Sequence, residues 1–262
     1  AWPSHRREFS PQEMPEIITT YLGRESPIVR PLAGQTIPCG SRHRRQGRVN
    51  DAYGSELGRA TLPGVSHDAC HDACGRELFD ILSEARLAVQ LQLSHIFDRF
   101  IPVHILTRQG RNPSIVPDAL IANIALPAVV TTIGGRRGAV QPARTLLFDV
   151  KTIHLGTKHY FCLMARQEQS GAVHARELQV SRDYRAHARR LDRDHSPAGT
   201  TPILQLLDSF GRTRGLVFGN FGEASADVHS LLALAATKVA KEQWREKGAR
   251  SEAEMRAILI GS

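Results

Sequence analysis

One apolar run that carries two opposite charges constrains this chain more than any other stretch. Residues 146–154 read LLFDVKTIH. Asp149 and Lys151 stand two places apart, so in an extended strand they share a face. Leu147 belongs to that face, and Phe148 and Val150 make the other face apolar. Neither face is polar enough to stand in water. The stretch therefore predicts a covered strand with an acid and a base on one side.

The rest of the chain surrounds this strand with helices and further strands. Residues 1–60 are rich in Pro, Gly, Arg and Ser and read as an irregular basic N-terminal arm, with helical hints near 11–22 and a basic cluster at SRHRRQGR (41–48). A helix is predicted from Ser66, a good N-cap, with Asp68 and Asp72 in its first turns. Its apolar stripe is read through Cys70, Cys74, Ile81, Leu82, Ala85 and Val89. Four β-like runs follow: FIPVHILT (100–107), DALIANIAL (118–126), TLLFDVKTI (145–153) and KHYFCLMA (158–165). LQVSRDYRAHARRLDRDH (178–195) predicts an Arg-rich helix and TTPILQLLDSF (200–210) a short one. RGLVFGNFG (214–222) predicts a buried strand, and residues 224–247 a closing amphipathic helix. The expected fold is α/β (α+β), a mixed sheet flanked by helices, with the domain at 61–262 and the arm at 1–60.

A hairpin brings a third charge to the same face. Gly134–Gly135 suits a two-residue turn that pairs Ile133 with Arg136. The same register pairs Asp118 with Lys151 and places Asp149 one diagonal step away. It also pairs Pro127 with Pro142, which would interrupt the ladder there. Two carboxylates and an ammonium on one sheet face suit a divalent metal such as Mg2+ or Mn2+. The metal would stabilise charge on a phosphoryl group, while the lysine orients a water.

Charge points to an acidic partner. The formal net charge is +8 and the excess is mostly Arg, which favours nucleic acid ahead of a membrane surface. No apolar run is long enough to span a bilayer, and no signal-peptide pattern opens the chain. The first residue is Ala, which reads as a piece of a longer or processed product. The 4 cysteines do not make a disulfide scaffold and read as reduced thiols of an intracellular protein, nuclear in a eukaryote and cytoplasmic otherwise.

Pro117–Asp118 followed by Asp149–Val150–Lys151 resembles the PD-(D/E)XK nuclease superfamily, which has the restriction-endonuclease-like fold. Its core order of helix, three strands, helix, strand fits the order read above. The resemblance implies Asp118 and Asp149 as metal ligands, the Val150 carbonyl as a third ligand and Lys151 as the water-activating group. It also implies a Glu from the first helix, with Glu77 preferred and Glu84 in reserve. GVSHDACHDACGREL before the motif is similar to restriction-like endonuclease domains of site-specific retroelements, and gives His67 a phosphate-contacting role. Nucleic-acid contacts are expected from Arg136, Arg137, Arg182, Arg185 and Arg189, with His154 at the rim of the site.

The function implied is that of a Mg2+-dependent endonuclease, with DNA as the first substrate and a homodimer allowed. A structure-selective resolvase or repair nuclease is the enzymatic alternative. A non-catalytic nucleic-acid-binding module is the alternative from another class. A structural zinc on His67, Cys70, His71 and Cys74, with Cys39 and His43, is disfavoured, because one helix rarely supplies four tetrahedral ligands.

Overall fold

The computed structural model describes residues 25–37, 48–53, 67–91, 95–107, 114–126, 142–153, 165–219 and 223–260. It divides into two compact units. One comprises residues 1–75, 152–173 and 218–224; the other comprises 76–151, 174–217 and 225–262. The smaller unit carries a two-stranded antiparallel ribbon, β1 (Thr36–Ile37) and β2 (Arg48–Val49), in which Thr36 faces Val49. A 3-10 turn at Arg30–Leu32 precedes it. The rest of SRHRRQGR and the helical hints near 11–22 lie outside the described residues.

The main sheet has four strands in the order β3 (Val89–Leu91), β4 (Ala119–Ile124), β5 (Arg144–Thr152) and β6 (Arg214–Phe218). β3 pairs antiparallel with β4, and β4 antiparallel with β5. Helix α1 (His67–Glu84) precedes it, followed by the one-turn α2 (Val103–Leu106) and the long α3 (Ala165–His195). Next come α4 (Pro202–Ser209), α5 (Ala226–Gln243) and α6 (Glu252–Ile260). The α/β class with a helix-flanked mixed sheet is thus as expected. No described helix is long and apolar enough to cross a membrane.

Every residue from Leu146 to Val150 is buried, so β5 is covered on both faces. On one face Leu120 and Leu147 pack with Phe97, Ala188, Leu191, Ile203 and Leu207. Burial of each leucine there is worth about 1.5–3 kcal/mol. Two polar devices fix the starts of helices α4 and α5. The Asp192 carboxylate accepts from the N–H groups of Ile203 and Leu204, both at 2.9 Å, and so caps α4 from α3. Ser225 accepts from the Val217 N–H at 3.1 Å and donates to the Gly215 carbonyl at 2.8 Å, which ties the start of α5 to β6.

Three local expectations are corrected. α1 stops at Glu84 because Arg86 adopts φ 53°, and the Leu87 N–H closes the end on Leu82 O at 3.0 Å; Val89 then begins β3. FIPVHILT is not a strand. Pro102 supplies a fixed φ ahead of α2, and a 3-10 turn fills Asp98–Phe100. The helix expected at 178–195 begins at Ala165, where the strand reading KHYFCLMA ends; residues 158–164 lie outside the described set. α6 had no counterpart in the sequence reading.

Candidate active site

Asp118 stands immediately before β4. In the β4–β5 ladder Ala119 faces Phe148, Leu120 faces Leu147 and Ile121 faces Leu146. One further step sets Asp118 against Asp149, not against Lys151. The expected register was thus displaced by two residues. A two-residue displacement leaves side-chain parity unchanged, so Asp118, Asp149 and Lys151 still share one face. It is the face of Leu120 and Leu147, on which α3 packs. The ladder is irregular between Ile121 and Ile124, where Asn123 takes φ 56°. Ile124 then faces Arg144, so β5 begins after Pro142 and this proline does not interrupt it. Gly134, Gly135 and Pro127 lie outside the described residues.

Each carboxylate is held by a donor from another element or strand. The Val150 N–H donates to Asp118 Oδ2 at 2.6 Å. The Tyr184 hydroxyl on α3 donates to Asp149 Oδ1 at 2.7 Å. The Tyr184 hydroxyl oxygen also lies 3.2 Å from the Val116 carbonyl oxygen. Lys151 Nζ pairs with Asp149 Oδ2 at 2.6 Å. The Asp149 side chain is 5% exposed and that of Lys151 30%, so the ammonium reaches from a buried acid toward the surface. Removal of one partner from such a pair typically costs about 3–5 kcal/mol, because a buried charge is left alone. Burial, then the charge of Asp149 and its hydrogen bond, then the charge of Asp118, push the Tyr184 phenol well above its usual range. The phenol therefore remains a donor.

The other expected residues that are described stand away from these carboxylates. Glu77 is exposed on α1. The buried residues of that helix are Gly75, Leu78, Phe79 and Leu82, with Ala85 just beyond its end; Leu82 and Ala85 belong to the stripe read from the sequence, whereas Cys74 and Ile81 of that stripe are half-buried at its edge. Glu84 is bound to Lys247. Arg185 pairs with Asp208 at 2.9 Å. Arg182 and Arg189 are exposed in line with Arg193. Two residues along a helix turn about 200°, so this stripe lies opposite Tyr184 and points away from the carboxylates. The side chain of His67, together with Arg136, Arg137 and His154, lies outside the described residues.

Of the residues considered for zinc, His71 bonds Asp72 at 3.0 Å, Cys74 is half-buried, and Cys39, His43 and the Cys70 side chain are not described. Among the described residues no group of three or more His, Cys, Asp or Glu side chains is close enough to hold a metal. Glu77 therefore does not complete a three-carboxylate set with Asp118 and Asp149.

The sequence reading missed Tyr184. A usable signal was present: Val173, Val180, Tyr184 and Leu191 follow helical spacing on one side of α3. It also missed a buried charge cluster next to the sheet. Arg214 on β6 is 1% exposed and pairs with Asp227 of α5, which is fully buried. Arg212 reaches Asp227 at 2.8 Å and Glu177 at 3.8 Å. His174 lies 3.5 Å from Glu177. Burial, then the charge and hydrogen bond of Asp227, push the Glu177 carboxyl up to about 8, while Arg212 opposes the shift.

No family model, curated protein or solved structure matches the chain.

Proposed function

We propose that this chain is a metal-dependent endonuclease of the PD-(D/E)XK type, acting on nucleic acid and on DNA first. The observation that carries the reading is the register of β4 on β5, which sets Asp118 against Asp149 with Lys151 on the same face. The order α1, three strands, α3 and β6 is consistent with the restriction-endonuclease-like core.

The donor set fits Mg2+ or Mn2+ of the kind that keeps several waters and takes its other ligands from substrate phosphate, since two carboxylates suffice there. A third protein oxygen is at hand. The Val150 N–H faces Asp118, and in a paired antiparallel strand a residue's N–H and C=O point to the same edge. When bound, the metal would lower the pKa of a water and stabilise charge on the phosphoryl oxygens. Asp118 and Asp149 would hold it, and Lys151 would orient the attacking water or a phosphate oxygen from its position beside Asp149. The water oxygen would bond to phosphorus and give up one proton to solvent, the bond to the leaving oxygen would break, and that oxygen would take a proton from solvent.

A second reading rests on the exposed line of Arg182, Arg189 and Arg193, which also suits a binding module without catalysis. Plasmid DNA incubated with Mg2+ and the protein, beside Asp149→Ala and Lys151→Ala, separates the two. Cutting by the wild type and by neither variant supports the nuclease. No cutting of duplex, single-stranded or branched DNA, with binding retained by all three proteins, supports the module.

A further inference from the structure

We infer that Tyr184 is the positioning residue of the proposed metal site, one hydroxyl that sets both the rotamer of Asp149 and its spacing from Asp118. The inference rests on the metal reading above. Tyr184 Oη lies 2.7 Å from Asp149 Oδ1 and 3.2 Å from the carbonyl oxygen of Val116, two residues before Asp118. A phenol has one proton to donate. The shorter contact goes to the charged acceptor, which binds a donor more strongly than a neutral carbonyl does. The proton therefore engages Asp149, and the Val116 carbonyl shares it at longer range.

This geometry does three things at once. It occupies Oδ1 of Asp149, so Oδ2 is the oxygen turned toward Lys151, 2.6 Å away. It links β5 to the segment that leads into β4, so the Asp149 carboxylate and the backbone two residues before Asp118 are tied through a single atom of α3. It also anchors that atom firmly, because the Tyr184 ring packs against the cluster of Phe97, Leu147, Ala188 and Leu191. The carboxylate rotamer is thereby set by the core, not by the metal. A two-carboxylate site has few protein ligands to define its geometry, and depends more on such support than a four-ligand site does.

The test uses Mn2+ alone, without nucleic acid. Mn2+ is titrated into the wild type and into Tyr184→Phe, with free ion read by electron paramagnetic resonance and folding checked by thermal melting. Phe keeps the packed ring and removes only the hydroxyl. Weakening of Mn2+ binding by about tenfold to a hundredfold in the folded variant is expected, the range typical for loss of a group that supports a metal ligand. Equal affinity for the two proteins overturns the positioning role while leaving the metal site standing. Absence of binding by the wild type overturns the metal reading itself, and this inference with it. A purely structural role for the hydroxyl would lower the melting temperature and leave affinity unchanged, which also counts against the proposal.

Discussion

The backbone N–H of Val150 donates to Oδ2 of Asp118 over 2.6 Å, so one strand's main chain holds the carboxylate that leads into its neighbour. This bond separates what Asp118 does for the fold from what it would do for chemistry. Asp118→Asn keeps an acceptor for the Val150 N–H and loses the charge. Its stability in urea is expected to stay within about 1 kcal/mol of the wild type, the usual net value of one hydrogen bond. Plasmid cleavage with Mg2+ is expected to fall by about two orders of magnitude or more, since a preorganised charged group at the reacting centre is lost. Equal cleavage would remove Asp118 from the site.

The Glu177 carboxyl, raised to about 8 from an ordinary 4.5, couples folding to pH. The folded chain holds a proton there that the unfolded chain releases. The stabilising contribution is thus complete below about pH 4.5 and is lost as pH rises through 8. Denaturant unfolding between pH 5 and 9 is expected to show stability falling with pH, with the slope reduced in Glu177→Gln. Arg212, Asp227 and His174 face the same carboxyl and shape the remainder of the profile. An unchanged slope in Glu177→Gln would show that this group does not titrate as described.

Gly215 lies where α3 crosses β6 backbone to backbone. A Cβ at this position would stand 3.0 Å from the Glu177 Cα and 3.1 Å from Val180 Cγ2. Main chain cannot yield as a flexible side-chain end does, so Gly215→Ala is expected to cost about 1–3 kcal/mol in denaturant unfolding. Cleavage per folded molecule is expected to be unchanged.

Arg182 and Arg189 face away from Tyr184 and from the carboxylates. Reversal of both charges, Arg182→Glu with Arg189→Glu, is expected to leave Mn2+ affinity unchanged. If this face tracks a phosphate backbone, DNA affinity falls and the dependence of affinity on salt becomes shallower, as fewer counterions are released. A filter-binding series across salt concentrations measures both. An unaltered salt slope assigns these arginines to a solvated helix surface.

The candidate site was legible in the sequence to the extent that parity decides it. Side chains alternate along a strand, so placing Asp118, Asp149 and Lys151 on one face tolerated a register error of two residues. Partner identity did not survive that error, because it depends on the turn and on the irregularity at Ile121–Ile124, which no pattern of apolar residues encodes. The position of Glu77 depends on a finer reading. Helical phase must be read to a single residue: the stripe read through Leu82 and Ala85 is buried, but it continues through Leu78 and Phe79, while Cys74 and Ile81 are half-buried and Glu77 is exposed. Tyr184 stood among arginines that drew the reading toward phosphate contacts. Its place opposite Asp149 is a tertiary fact, set by how α3 packs on Leu147 and Leu120. The Arg214–Asp227 pair was hidden similarly: a charged first residue of a strand reads as a surface group until α5 brings a carboxylate to it.

On the proposed reading, Asp118 and Asp149 share one ion. A crystal soaked in Mn2+ and measured at the manganese absorption edge tests it most directly. A single anomalous peak about 2.0–2.3 Å from an oxygen of each carboxylate is expected, consistent with a hard octahedral cation. A peak bound by one carboxylate alone, or no peak on this face of the sheet, would contradict it.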